Sequence, residues 1–205
     1  LPLAADQAAA YLVETEETVA EYLEKFQRAS AAIAPTDTDF HYPHAAAVSC
    51  TLSQNALSAP ALALLRVLAS ISPEPVSGEI LVQPDLLDEL PEEVREALSG
   101  TRPFRRAVRE LARFSLVQFN LVRNETQIHR IVKAIVEDGM RQHGFGTPEL
   151  YRRAVHMLLA GTDPRNPEQA ANDTTYERTR PHLIPSGAVT SDHPPARDLV
   201  INQVR

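Results

Sequence analysis

Tryptophan is absent from the 205 residues, cysteine occurs once, glycine seven times, and aromatic residues make up only 5%. Each scarcity excludes something. A lone thiol, Cys50, cannot build an internal disulfide framework, and a reducing, cytoplasmic compartment is the simplest expectation. No apolar run approaches the roughly 18 residues that a membrane span needs. No basic-then-apolar secretory start opens the chain. None of the glycines (Gly78, Gly100, Gly139, Gly144, Gly146, Gly161 and Gly187) precedes a lysine, so a phosphate-cradling G-x-x-x-x-G-K-S/T loop is missing. The chain is therefore not expected to hydrolyse ATP by itself. A basic excess is missing too. With 23% charged residues and a net charge of −7, both general disorder and non-specific nucleic-acid binding are disfavoured.

What is present is helical patterning. The length suits one to three small modules, and the opening Leu1-Pro2-Leu3-Ala4 carries no initiator methionine, which reads as a segment of a larger protein. A helix is expected from about Leu3 to Val13. A second starts at the capping box Thr18-Val19-Ala20-Glu21, with Val19, Tyr22, Leu23 and Phe26 on one stripe. Their short connection predicts an antiparallel pair. The polar stretch Pro35 to Pro43 reads as a loop, and a third helix follows near His44 to Ala56. Ala61, Leu62, Leu64, Leu65, Val67, Leu68 and Ile71 are apolar nearly all round, the mark of a buried central helix stopped by Ser72-Pro73-Glu74-Pro75.

Beyond an acidic, proline-punctuated stretch, a helix from Thr101 or Arg102 turns Phe104, Ala107, Val108 and Leu111 inward. Val117, Phe119 and Leu121 then alternate with Gln118 and Asn120. Arg123-Asn124-Glu125 reads as a turn and Thr126-Gln127-Ile128 as the return strand. A further helix puts Ile128, Ile131, Val132 and Ile135 on one face. Helices, hairpin, helix is the order of a winged-helix module. Gly144 and Gly146 mark a boundary. After it, Thr147 caps a helix with Pro148 at its first position and Tyr151, Ala154, Val155 and Leu158 inward. Helical pieces are expected again near Tyr176–Leu183 and Ala196–Val204. The fold expected is mainly α: a helical bundle (1–58), a winged helix with one β-hairpin (59–143), and a linker helix leading into a helical repeat array (144–205).

Leu1-Pro2-Leu3-Ala4, with the alanine-rich helix ending Tyr11-Leu12, resembles the GLPLA motif of NB-ARC proteins, the STAND class of signal-transduction ATPases. The resemblance continues through Tyr42-Pro43, the helix around Ser49–Leu57, Ser72-Pro73-Glu74-Pro75 and Phe114-Ser115-Leu116-Val117. It reaches Ile128-His129-Arg130-Ile131-Val132, which resembles the family's MHD motif. Bacterial members with tetratricopeptide arrays are the most similar, over most of residues 1 to 186.

The resemblance implies a regulatory segment that closes over ADP held by an upstream nucleotide-binding domain of the same chain. The segment would release when ADP is exchanged for ATP, after the repeat array senses a ligand or protein. No cofactor is expected on the segment alone, and oligomerisation on activation stays open. By the same resemblance, His129 would touch the β-phosphate of ADP and Pro2 would pack on the adenine. Arg130 stands where plant members carry aspartate, so that residue's role does not carry over.

Other residues point elsewhere. Arg102, Arg106, Arg109 and Arg113 form a basic stripe on the helix before the hairpin, where DNA-reading winged helices place their recognition helix, and Arg123 lies in the wing. The stripe fits equally a solvated face or one turned to the acidic run Asp85, Asp88, Glu89, Glu92 and Glu93. DNA binding is the rival reading, disfavoured by overall charge; a pure interaction scaffold is the third. His41, His44 and Cys50 fall short of a zinc set. Cys50, inside a helix with no paired base, reads as a buried inert thiol.

Overall fold

The computed structural model describes residues 2–33, 44–143 and 148–204. The expected loop Pro35 to Pro43, the Gly144/Gly146 boundary, the Thr147 cap, Leu1 and His41 lie outside those residues.

Three helices open the chain: α1 (Pro2–Thr15), α2 (Val19–Ala32) and α3 (His44–Ala56). Pro2 stands first in α1, where a missing N–H costs the helix nothing. At the start of α2 the capping box is complete. The Thr18 N–H donates to Glu21 Oε2 at 2.8 Å, and the Glu21 N–H donates to Thr18 Oγ1 at 3.3 Å. These bonds from Thr18 hold the Glu21 carboxyl below the usual carboxylate range.

The antiparallel α1–α2 pair expected from sequence is not how the bundle packs. Both helices lie chiefly on α3, and only a small contact joins them. The reason is size. Ala46, Ala47, Ser49, Cys50 and Ser53 of α3 are buried small side chains that admit neighbours closely on two sides. The α1–α2 link is carried by the Tyr11 and Tyr22 rings, 5.5 Å apart, and by Lys25 on Glu17 at 2.5 Å. The α2 stripe is correspondingly half solvated. Tyr22 is buried with its hydroxyl 3.0 Å from Ser49 Oγ, whereas Val19 and Leu23 are 61% and 50% exposed.

The buried central helix is α4 (Ala59–Ala69). Its N-cap, Ser58, donates both its N–H and its hydroxyl to the Glu110 carboxylate, at 2.5 and 2.7 Å. After it come β1 (Val76–Ser77), the single turn α5 (Gly78–Leu81), a 3-10 turn (Pro84–Glu89) and α6 (Glu92–Leu98). Then follow α7 (Thr101–Arg113), β2 (Val117–Asn120), β3 (Glu125–Ile128) and α8 (Arg130–His143). On α7, Phe104, Ala107, Val108 and Leu111 are buried together.

The sheet holds three antiparallel strands in the order β1-β3-β2, with Val76 opposite Thr126 and Val117 opposite Ile128. That is the winged-helix arrangement. Its third strand, β1, was not among the sequence expectations, because two residues behind a proline display no alternation. The hairpin is also tighter than its alternation suggested. Asn120 Oδ1 accepts the N–H groups of Val122 and Arg123, both at 3.1 Å, so the strand stops before Leu121, which is 56% exposed. Asn124 closes the turn at φ 53°, and Glu125 already belongs to β3. Ile128 ends β3 and is not part of the face of α8.

The last helices are α9 (Pro148–Gly161), α10 (Asp173–Ser186) and α11 (Pro194–Asn202). Tyr151, Ala154, Val155 and Leu158 of α9 are buried as expected. α10 extends past Pro181 and Pro185 and ends on Gly187 at φ 76°, the left-handed conformation glycine supplies without strain. α9 packs on α4 directly. Arg66 donates to the Tyr151 hydroxyl at 3.2 Å, and Gln83 Nε2 donates to the Leu158 carbonyl at 2.6 Å. The apolar core is therefore continuous from α1 to α11.

Candidate functional site

Where α7 becomes β2, Ser115 takes a left-handed turn (φ 55°) and the Leu116 N–H reaches back to the Leu111 carbonyl at 3.0 Å. That reversal buries Leu116 and Val117 while leaving Gln118 at the surface. On the neighbouring strand, Thr126 and Ile128 face the core, so Gln127 and His129 face outward. Pro2 and Leu3 at the start of α1 approach from the other side. The result is a cleft of about 610 Å³, with Pro2, Leu3 and Asp6 on one wall and Gln127, His129 and Arg130 on another.

His129 leaves the strand and caps α8. Its carbonyl accepts the Lys133 N–H at 2.9 Å, and its ring Nδ1 accepts the Ile131 N–H at 3.2 Å. An accepting Nδ1 carries no proton, so the ring proton sits on Nε2, leaving Nε2–H as the donor of an exposed imidazole. The amides in the first turn of α8 have no partner inside the helix, and their dipoles favour an anion beside them. Arg130 adds a guanidinium. Its Nη2 lies 3.6 Å from Glu74 Oε1 with the two side chains 80% and 50% exposed, a weak pairing that an incoming anion can displace. Gln127 Nε2 donates to the Pro73 carbonyl at 3.0 Å, and Pro73 itself borders the cleft. Asp6 brings an opposing negative charge to the α1 wall.

Both residues singled out in the sequence, Pro2 and His129, thus line one cleft. Sequence reading missed Gln127, Pro73 and Glu74. The proline-bounded Ser72-Pro73-Glu74-Pro75 is the available signal: it reads as a helix stop and as part of the family resemblance, and neither reading assigns it a place at the cleft.

The chain matches one described family over part of its length. Residues 52–145 are similar to the family described as Domain of unknown function (DUF7779). The matched stretch takes in the last turn of α3, the winged helix and the His129 side of the cleft, but not Pro2. No curated protein and no solved structure matches the chain.

The remaining candidates are knit into packing. A larger cleft, about 820 Å³, lies between α9, the end of α10 and the turn before α11. There His156 has both nitrogens engaged, Nε2 with the Ser186 carbonyl at 2.8 Å and Nδ1 with Ser191 Oγ at 2.7 Å. Burial lowers the pKa of His156, keeping it neutral, and Glu149 and Asp192 offset Arg152 and Arg153. Arg102, Arg106, Arg109 and Arg113 are all exposed along α7. Among the described residues, the ion pair of this stripe is Arg113 with Glu14 of α1 at 3.8 Å, and not with the acidic run of the winged helix.

His44 Nε2 bonds Ser30 Oγ at 2.8 Å. Cys50 is buried in α3, where desolvation pushes its thiol up to about 12. No three His, Cys, Asp or Glu side chains among the described residues are grouped to hold a metal. No described helix is long and apolar enough to cross a membrane.

Proposed function

We propose that this chain is the regulatory segment of a STAND/NB-ARC-type nucleotide switch. It would couple ligand sensing by a helical array to the ADP/ATP state of a nucleotide-binding domain on the same polypeptide. The observation that carries this reading is the convergence of Pro2 and His129 on one cleft. The two motifs stand at opposite ends of the first two modules, and nothing in helix packing alone requires them to meet.

The walls of the cleft are chemically divided in a way that suits a nucleotide. α1 offers apolar ring surface at Pro2 and Leu3, fit for a base. The start of α8 offers an Nε2–H donor, the positive end of the helix dipole and the Arg130 guanidinium, fit for phosphate oxygens. In this reading the chain performs no chemistry. Phosphate-loop and Mg²⁺ ligands come from the nucleotide-binding domain, and His129 stabilises the closed ADP form, so that losing its contact biases the switch to the open form.

The test uses the full-length polypeptide. His129→Ala removes one hydrogen bond to a charged group, worth about 1.5–3 kcal/mol, so ADP release should accelerate roughly 10- to 100-fold and basal activity should rise. Unchanged ADP retention and unchanged basal activity would sink the reading.

A second reading, duplex DNA along Arg102–Arg113, has one observation in its favour: the stripe is exposed on the helix that precedes the wing. Against it stand the exposed Glu92 and Glu93 at the start of the adjoining α6.

A further inference from the structure

Ser72–Pro75 joins α4 to β1 and touches two places at once. On its outer side, Pro73 borders the cleft and its carbonyl accepts from Gln127 Nε2 at 3.0 Å, while Glu74 faces Arg130 at 3.6 Å. On its inner side, Pro75 and β1 bear on α10. There the fully buried His182 sits among Ile71, Val76, Ile80 and Leu81. α10 is held further by Arg178 on Glu79 of α5 at 3.0 Å.

Two features make this strap a transmitter and not merely a connection. Pro73 and Pro75 each fix φ, and Ser72 Oγ accepts the Glu74 N–H at 3.2 Å, so the four residues resist bending between their two contacts. His182, at the receiving end, completes no hydrogen bond at either ring nitrogen, although the Pro75 carbonyl lies near it. A buried, unpartnered polar ring is a weak seat, and a small displacement of Pro75 changes its surroundings more than it would those of a leucine.

We infer that Ser72–Pro75 is a coupling strap that ties the His129 wall of the cleft to the seating of α10. Its regulatory meaning rests on the cleft being the ligand site. An anion held by His129 competes with Glu74 for Arg130, frees the outer side of the strap, and loosens α10 through Pro75. The state of the cleft thereby reaches the helices that lead out of the winged helix.

The coupling itself is testable without any ligand, so its failure and that of the nucleotide reading are separate results. Amide hydrogen exchange is followed in the intact protein for wild type, Gln127→Ala and Glu74→Gln. Each substitution cuts one outer tether without altering a residue of α10; because the Glu74 charge also reaches His182, Gln127→Ala is the deciding variant. Exchange across residues 173–186 should rise roughly five- to tenfold in Gln127→Ala, the scale of one lost hydrogen bond, and by a smaller factor in Glu74→Gln, which loses a solvent-exposed ion pair, while α3 keeps its wild-type protection. Unchanged exchange in α10, or an equal rise in α3 and α10, overturns the proposal. The first shows no transmission and the second a general loss of stability.

Discussion

Acidifying a protein that buries a neutral histidine draws the unfolded chain toward protonation before the folded one, and His182 gives that effect a size. Burial lowers its pKa from 6.5 to about 4. Above pH 6.5 the ring is neutral in both states and the contribution to stability is complete. Below pH 6.5 the unfolded state binds the proton first, so stability falls steadily until about pH 4, where the folded ring charges as well. The interval corresponds to about 3 kcal/mol, a large share of the stability of a chain this size. His156, also lowered by burial, adds a loss of the same sign, so the share of His182 must be isolated by substitution.

His182→Leu does this. The pocket walls are Ile71, Val76, Ile80, Leu81, Val155 and Leu158, and neither ring nitrogen has a bond to lose. Stability at pH 7 should hold or rise slightly, because an apolar group replaces an unsatisfied polar one. Urea unfolding at half-unit steps from pH 8 to 4.5 measures the rest. The wild-type curve should fall more steeply than the variant's by about 2.5 kcal/mol between pH 8 and pH 4.5. Curves that stay parallel to pH 4.5, or a marked loss in His182→Leu at pH 7, would refute a neutral, unpartnered ring.

Gly78→Ala tests how the wing is held: a Cβ there would collide with the Asn124 side chain, and the Gly78 N–H bond to the Asn124 carbonyl (2.8 Å) fixes the turn. It should cost about 1–3 kcal/mol in thermal unfolding, with the NMR shifts of Leu121 to Asn124 moving most. Cys50, with its thiol near 12, should resist a water-soluble disulfide reagent at pH 8 and react fully only after unfolding; rapid reaction of the native chain would contradict its burial.

Much of the fold was legible because its helices are strongly periodic. The inward face of α7, Phe104 to Leu111, and that of α9, Tyr151 to Leu158, follow directly from spacing. The capping box at Thr18 marks the start of α2 for the same local reason. What escaped depends on tertiary neighbours. Val19 and Leu23 carry the right period, but α3 turns only one side of α2 to the core. β1 becomes a strand because Thr126 and Glu125 are there to pair with it. The candidate site was legible through resemblance and not through periodicity, since no spacing rule brings Pro2 to His129. The strap escaped entirely: prolines announce where a helix ends, and they do not say what the intervening backbone will touch.

The cap that His129 places on α8 bears on how this protein can diverge. Asparagine, aspartate and serine also accept an N–H at a helix start, so any of them could hold α8 in place. The helix would survive such an exchange while the group offered to the cleft changed from an imidazole donor to an amide, a carboxylate or a hydroxyl. Position 129 can therefore change the group it presents to the cleft while the cap on α8 is kept.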